Sequence, residues 1–257
     1  MPVKLLLAGF SMLLLAVSPL HAEGPGQVRG RVVFLEGDLS LRNAETTRSA
    51  WQPAGLDSSF SQGDLLRTGR SSRAELTIQQ QSRIRLAPET KLEVQRLIGE
   101  GEDDLAEARL HLDEGEIWAE VNGLDEGEDL FEISSDLAGA AITGTAFSLS
   151  SRQGGAEPET RLRVWHGEVR ISNAPWKMDQ LEATEVGKAG PRKAPSSVKG
   201  PQSVAGPKSV SLDEWLLIVK DMQEVVIGAG GQVVSQGSFN DTETDPWMKG
   251  ASLPSDK

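Results

Sequence analysis

The chain has no cysteine and no tyrosine, and only three histidines, His21, His111 and His166. Without cysteine there is no disulfide, no thiolate nucleophile and no sulfur ligand for zinc or copper. His111 and His166 each stand alone in their segments, so no pair of imidazoles at short spacing is set to hold a transition metal. The alternation Leu110-His111-Leu112 places His111 on a wet strand face. Positive charge is scarce: 26 Lys and Arg stand against 38 Asp and Glu, and a net charge of −12 opposes binding to nucleic acid or to anionic lipid. No Gly-x-Ser-x-Gly elbow occurs, and the glycines between Gly139 and Gly144 are followed by no Gly-Lys-Ser/Thr. The acidic clusters at 100–104, 113–116 and 125–129 lack the alternating ligands and closing bidentate Glu of a calcium loop. The expectation is a protein with no catalytic residue, no cofactor and no metal.

What is present begins with an address. Lys4 precedes the uncharged apolar run Leu5 to Val17, and Ser18-Pro19-Leu20-His21-Ala22 offers a cleavage region. Residues 1–22 therefore read as a signal peptide. The run falls short of the roughly 20 residues that span a bilayer, although an uncleaved anchor is the competing reading. No cysteine follows it, which excludes a lipoprotein anchor. The expected location is the periplasm, with no stable membrane insertion after cleavage.

From Gln27 to Ser172, short runs alternate apolar and polar residues. Ala74-Glu75-Leu76-Thr77-Ile78 is one, and Arg83-Ile84-Arg85-Leu86, Lys91-Leu92-Glu93-Val94 and Arg161-Leu162-Arg163-Val164 repeat it. Period-two alternation predicts strands with one buried and one wet face. Turn signals separate them: Pro88-Glu89-Thr90, Asn122-Gly123, Glu114-Gly115-Glu116 and His166-Gly167-Glu168. About ten to fourteen strands are expected here. Residues 173–186 form a connecting segment. Residues 187–211 are rich in Gly, Pro, Ser and Lys without an acidic residue, which predicts a flexible linker, with docking onto the protein's own acidic face or onto peptidoglycan as the alternative.

Ser211 and Glu214 have the spacing of a capping box, and Trp215, Ile218, Val219 and Met222 follow at helical spacing. This predicts an amphipathic helix over 212–228, packed on the β domain or offered to a partner through those four residues. Residues 229–257 are expected to be mostly flexible.

The segments Gly63 to Leu76, Ser82 to Leu86, Thr90 to Val94, Leu112 to Val121, Phe131 to Ile133, Ile142 to Phe147 and Val164 to Val169 resemble, in order, the domain of the ferric-citrate regulator (FecR-domain) family. The resemblance covers about residues 27–172. It implies an all-β periplasmic module, a twisted antiparallel β-solenoid or a stacked β-sandwich. Gly63, Gly69, Gly115, Gly144 and Gly167 suit turns through positive φ or close backbone approach. Asp64 and Thr68 suit the capping of turn amides, and Arg73 suits pairing with a buried carboxylate or carbonyl. Thr145 and Phe147 belong to the same motif, and Trp118, Phe131, Phe147 and Trp165 are the bulky core candidates. The family's best-known members join this module to an anti-sigma segment through a membrane span. Here a leader precedes it, so a stand-alone secreted form is expected, acting as a protein-binding sensor-like or scaffold module, with an accessory component of a transmembrane signalling system as an alternative. The expected partner is an envelope protein, with cell-wall glycan as the alternative.

Overall fold

A computed structural model of the chain describes residues 26–44, 50–78, 82–99, 105–122, 130–154, 157–175, 178, 181, 183–186, 214–242 and 245–249. The expected signal peptide, the expected linker at 187–211, Ser211 of the expected capping box and the acidic runs 100–104 and 125–129 lie outside the described residues.

Nineteen strands and no α-helix occupy the described residues. In chain order the first nine are β1 (Gly26–Gln27), β2 (Gly30–Glu36), β3 (Leu39–Arg42), β4 (Gln52–Ala54), β5 (Ser59–Phe60), β6 (Leu65–Thr68), β7 (Arg73–Ile78), β8 (Ser82–Leu86) and β9 (Lys91–Gly99). Next come β10 (Leu105–Glu120), β11 (Leu130–Ser134), β12 (Gly139–Ile142), β13 (Ala146–Arg152), β14 (Glu159–His166) and β15 (Glu168–Ser172). The last four are β16 (Ala183–Glu185), β17 (Leu216–Lys220), β18 (Gln223–Gly228) and β19 (Val233–Ser238). Fifteen strands thus lie between residues 26 and 172, above the expected range, because β1, β4 and β5 are two- or three-residue pieces too short to show a period.

Hydrogen-bonded pairing gives two open sheets. One runs β4-β3-β6-β9-β10-β11-β12-β15-β17-β16. The other runs β2-β7-β8-β10-β13-β14-β18-β19, with β5 beside β2. We call them the first and second sheet. Most pairs are antiparallel; β10–β11 and β16–β17 are parallel. Alternating residues fill the space between the sheets: Leu76, Ile84, Leu92, Leu110, Ile117, Phe131, Phe147, Leu162, Val219 and Ile227 are all buried in one cluster. The stacked-sandwich form of the expected all-β fold is the one observed.

β10 belongs to both sheets. Its first half pairs with β9 and β11, and its second half pairs with β8 and β13. Gly115, expected to lie in a turn between two strands, is the bend within this one strand. Its φ is +99°, and a Cβ there would lie 2.5 Å from Thr90 Cα. The Thr90 hydroxyl donates to Glu116 O and accepts from Glu116 N, both at 3.1 Å, and so pins the bend.

The same device recurs at most of the points where the chain passes from one sheet to the other, the β6–β7 corner being an exception. Left-handed residues sit at Gly37 (β2 to β3), Asp57 (β4 to β5), Gly63 (β5 to β6), Glu89 (β8 to β9), Gly144 (β12 to β13) and Gly167 (β14 to β15). Such a residue turns the backbone sharply without a long loop.

The predicted helix at 212–228 is instead a pair of strands with this corner between them. Met222, at φ +58°, carries the chain from β17, beside β15, to β18, beside β14. Its N–H donates to Val164 O at 2.8 Å, and Asp221 Oδ1 accepts from Gly167 N at 2.6 Å. Two forces override the helical spacing: β-branched Ile218, Val219, Val225, Val226 and Ile227 favour the pleat, and the edges of β14 and β15 need partners. The region expected to be a flexible tail adds β19 and a further ordered piece, residues 239–242 and 245–249.

Gly115→Ala is expected to cost about 2 kcal/mol in urea unfolding, against no more than about 0.5 kcal/mol for Gly154→Ala, which meets open space. Met222→Gly discriminates strand corner from helix: relief of the left-handed residue should raise stability by about 1 kcal/mol, whereas a helix interior would lose about as much.

Candidate recognition surface

The family-motif residues do structural work at the corners. Asp64, 2 % exposed, accepts from Ser61 N at 2.8 Å through Oδ2 and from Ala44 N at 3.0 Å through Oδ1. The Thr68 hydroxyl donates to Ala87 O at 2.7 Å and accepts from Thr90 N at 2.9 Å, tying β6 to the β8–β9 corner. Gly69 keeps ordinary φ but admits close approach, since a Cβ would lie 3.0 Å from Ser72 Oγ. Thr145 is buried beside Gly167, and Phe147 lies in the main core.

The four residues proposed for a helical partner face are not brought together. Val219 is in the core; Trp215 packs against its edge, with Nε1 donating to Gly231 O at 2.8 Å. Ile218 is half-buried on β17, and Met222 is the corner. His111 also departs from its expected wet position. It is mostly buried, with Nδ1 2.9 Å from Ser134 Oγ and Nε2 3.2 Å from Asp136 Oδ1, and it fastens β11 to β10.

The structured surface of interest is the outer face of the second sheet. Strand register places Phe34, Glu75, Arg85, Trp118, Ser148, Arg163 and Glu224 side by side on neighbouring strands, one continuous row. These are the outward residues of strands whose inward residues are Leu76, Ile84, Ile117, Phe147 and Leu162. Ion pairs stand towards each end: Arg85 Nε to Glu75 Oε2 at 2.8 Å, and Arg163 Nε to Glu224 Oε2 at 2.9 Å. Trp118 and Trp165, expected in the main core, lie here in a second cluster with Phe34, Trp247 and Met248.

Across this row lies the piece that follows β19, an ordered strap. Phe239 packs edge-on against Trp165 at 5.1 Å, and Trp165 Nε1 donates to Asp241 Oδ1 at 2.9 Å. Asp245 Oδ2 pairs with Arg73 at 2.8 Å, and both side chains stay partly exposed, so this carboxylate is not the buried one expected for Arg73. Trp247, 4 % exposed, fills a slot formed by Phe34 (5.5 Å) and the guanidinium groups of Arg73 (5.6 Å) and Arg85 (5.3 Å). Arg85, 6 % exposed, also faces the Trp118 ring at 5.4 Å and donates to the Trp247 carbonyl oxygen. A guanidinium between two indoles, with a carboxylate on Nε, satisfies charge and donors together. One polar atom is left out: Trp118 Nε1 is buried with no hydrogen-bond partner, an omission that costs about 1–3 kcal/mol.

Beside the strap a groove of about 500 Å³ opens on the next row, lined by Glu116, Ser150, Arg161, Arg152 and Glu159 among others. Burial pushes the Glu116 carboxyl above its ordinary 4.5 and Asp245 adds to the shift, while Arg163 and Arg161 oppose it. Among the described residues no group of three or more His, Asp or Glu is placed to hold a metal ion.

Residues 64–170 match the family model described as FecR protein. The matched segment opens at the buried Asp64 and ends within β15, so it contains Arg73, Arg85, Trp118 and Arg163 but neither β17–β19 nor the strap. No curated protein matches the chain. Two solved structures of a protein provisionally described as an anti-sigma factor, from Parabacteroides distasonis ATCC 8503, are similar at 11 % identity with a TM-score of 0.43. Each similarity covers 72 % of this chain and 64 % or 65 % of the other, so the chain spans less than two thirds of those neighbours.

The row was missed in the sequence because Arg and Trp at alternate positions read as solvent-facing charge and as core. The available signal was that Trp118 and Trp165 share strand parity with Glu116, Arg161 and Arg163, and so must face outward with them.

Glu116→Gln tests the electrostatics of the groove. A carboxyl whose folded pKa is raised holds its proton more tightly in the native state, so its stabilising contribution is complete below the ordinary range and fades as pH rises through the folded value. The glutamine variant should match wild type near pH 4 and exceed it in stability at pH 7, as read by urea midpoints at both values.

Proposed function

We propose that this chain is exported, loses residues 1–22 and works in the periplasm as a non-catalytic FecR-domain protein that recognises another envelope protein within a signalling system. The observation that carries this reading is the outer row of the second sheet, which holds a length of irregular polypeptide through an Arg–carboxylate pair, an aromatic slot and a main-chain carbonyl contact. Those are the contacts by which a surface recognises peptide rather than turns over a substrate. The match over residues 64–170 supports the regulatory assignment, and the acidic balance suits a protein partner better than a polyanionic one.

The second reading, a peptidoglycan- or polysaccharide-binding module, is favoured by the groove beside Glu116. Its Arg, Glu and Ser side chains can hydrogen-bond sugar hydroxyls and carboxylates, and the basic stretch at 187–211 would add affinity for acidic wall polymers.

In-cell crosslinking followed by capture of the tagged chain should recover a defined envelope protein, lost when Arg73 and Arg85 are both replaced by Ala. Sedimentation with purified peptidoglycan separates the two readings: co-pelleting that falls at least about tenfold on Arg161→Ala would favour the glycan, and no co-pelleting favours the protein partner.

A further inference from the structure

We infer that the strap is an internal stand-in for a partner's peptide, and that the row beneath it docks an extended segment carrying an acidic residue two positions before a tryptophan. This deepens the recognition reading and rests on it.

The strap displays the chemistry of its own replacement. Asp245 offers a carboxylate to Arg73 at 2.8 Å, Pro246 spaces the chain, and Trp247 enters the slot of Phe34, Arg73 and Arg85 while its carbonyl accepts from Arg85. Yet the described strap residues have no main-chain ladder with the sheet under them. Among the described residues their backbone bonds are Lys249 N to Asp245 O and Phe239 N to Met222 O, at a turn and at the β18–β19 end. A segment with no main-chain ladder to the sheet opens more readily than a paired strand. The strap also leaves Trp118 Nε1 buried and unpartnered. An occupant that brings an oxygen to that depth satisfies a donor the strap does not, and so displaces it.

The same atom decides between occupants. A second copy of this chain would bring an identical strap and leave the same donor unsatisfied, so exchange between copies gains nothing. A different envelope protein with the same acidic-x-Trp core and an added acceptor gains one hydrogen bond. Arg85 and Arg163 are paired with Glu75 and Glu224 inside the row, whereas Arg73 takes its carboxylate from the strap, so Arg73 is the group that receives the acidic residue of a docked peptide.

The test uses the full chain with Asp245→Ala and Trp247→Ala together, and a synthetic peptide of residues 239–250. Calorimetry should show the peptide binding this variant at least about tenfold more tightly than wild type, whose own strap competes at high effective concentration. Replacing the peptide's tryptophan by alanine, or adding Arg85→Ala to the protein, should abolish the signal. No binding to a variant with native circular dichroism overturns the inference. If the variant does not fold, hydrogen exchange on wild type decides. Excess peptide should speed exchange at residues 245–249 while β8 and β10 stay protected; unchanged exchange overturns the inference. Wild type that dimerises with rising concentration, with loss of dimer on Trp247→Ala, would assign the row to a second copy and overturn the partner named here. Failure of the peptide alongside intact capture of an envelope protein by wild type would sink the strap and leave recognition standing.

Discussion

Everything in this molecule is organised by β10, a strand of 16 residues that cannot stay in one plane. A sheet that continued along its whole length would leave half of its backbone groups without partners. The bend at Gly115 resolves the conflict by giving each half a different pair of neighbours. The apolar residues of both halves then face the same interior: Leu110 and Leu112 from one side, Ile117 and Ala119 from the other. Because Glu116 and Trp118 come straight after the bend, its geometry also sets where the outward row lies. The corner-bracing hydroxyl of Thr90 therefore acts on a surface it does not touch.

The sandwich is built by repeated crossing, with a left-handed residue marking the turn at most of the crossings. Glycine serves at five of these positions and at the β18–β19 turn, but Asp57, Glu89 and Met222 accept the same conformation. That mixture explains what could be read from the amino-acid sequence. The glycine-marked corners at 63, 144 and 167 were visible as punctuation between alternating runs, and the all-β architecture followed from them. The corner at Met222 carried no such mark. Around it, Trp215, Ile218, Val219 and Met222 fall at helical spacing by coincidence, and only the unpaired edges of β14 and β15 reveal that two more strands are required. Local pattern proposes; the needs of a distant edge dispose.

The surface was harder to read than the fold for a related reason. A strand's parity says which residues share a face, but not which strand lies beside it. Arg85 and Trp118 are far apart in the sequence and become neighbours only through the β8–β10 register. The residue that completes their stack, Trp247, sits 162 positions from Arg85 in a stretch whose polarity argued for disorder. Composition alone had no means of showing that one tryptophan in a polar run is worth an anchor when two arginines wait for it.

The order in which these pieces emerge has its own consequence. β17 and β18 sit on β15 and β14, one on each sheet, and both are encoded after a stretch of more than two dozen residues that follows β16. Until that hairpin has been made, the nascent sandwich ends in two unpaired strand edges at once. A proteolytically shortened or stalled product would keep both edges open and be a substrate for chaperones and proteases. Completion of the polypeptide is thereby made visible to cellular surveillance through a single hairpin.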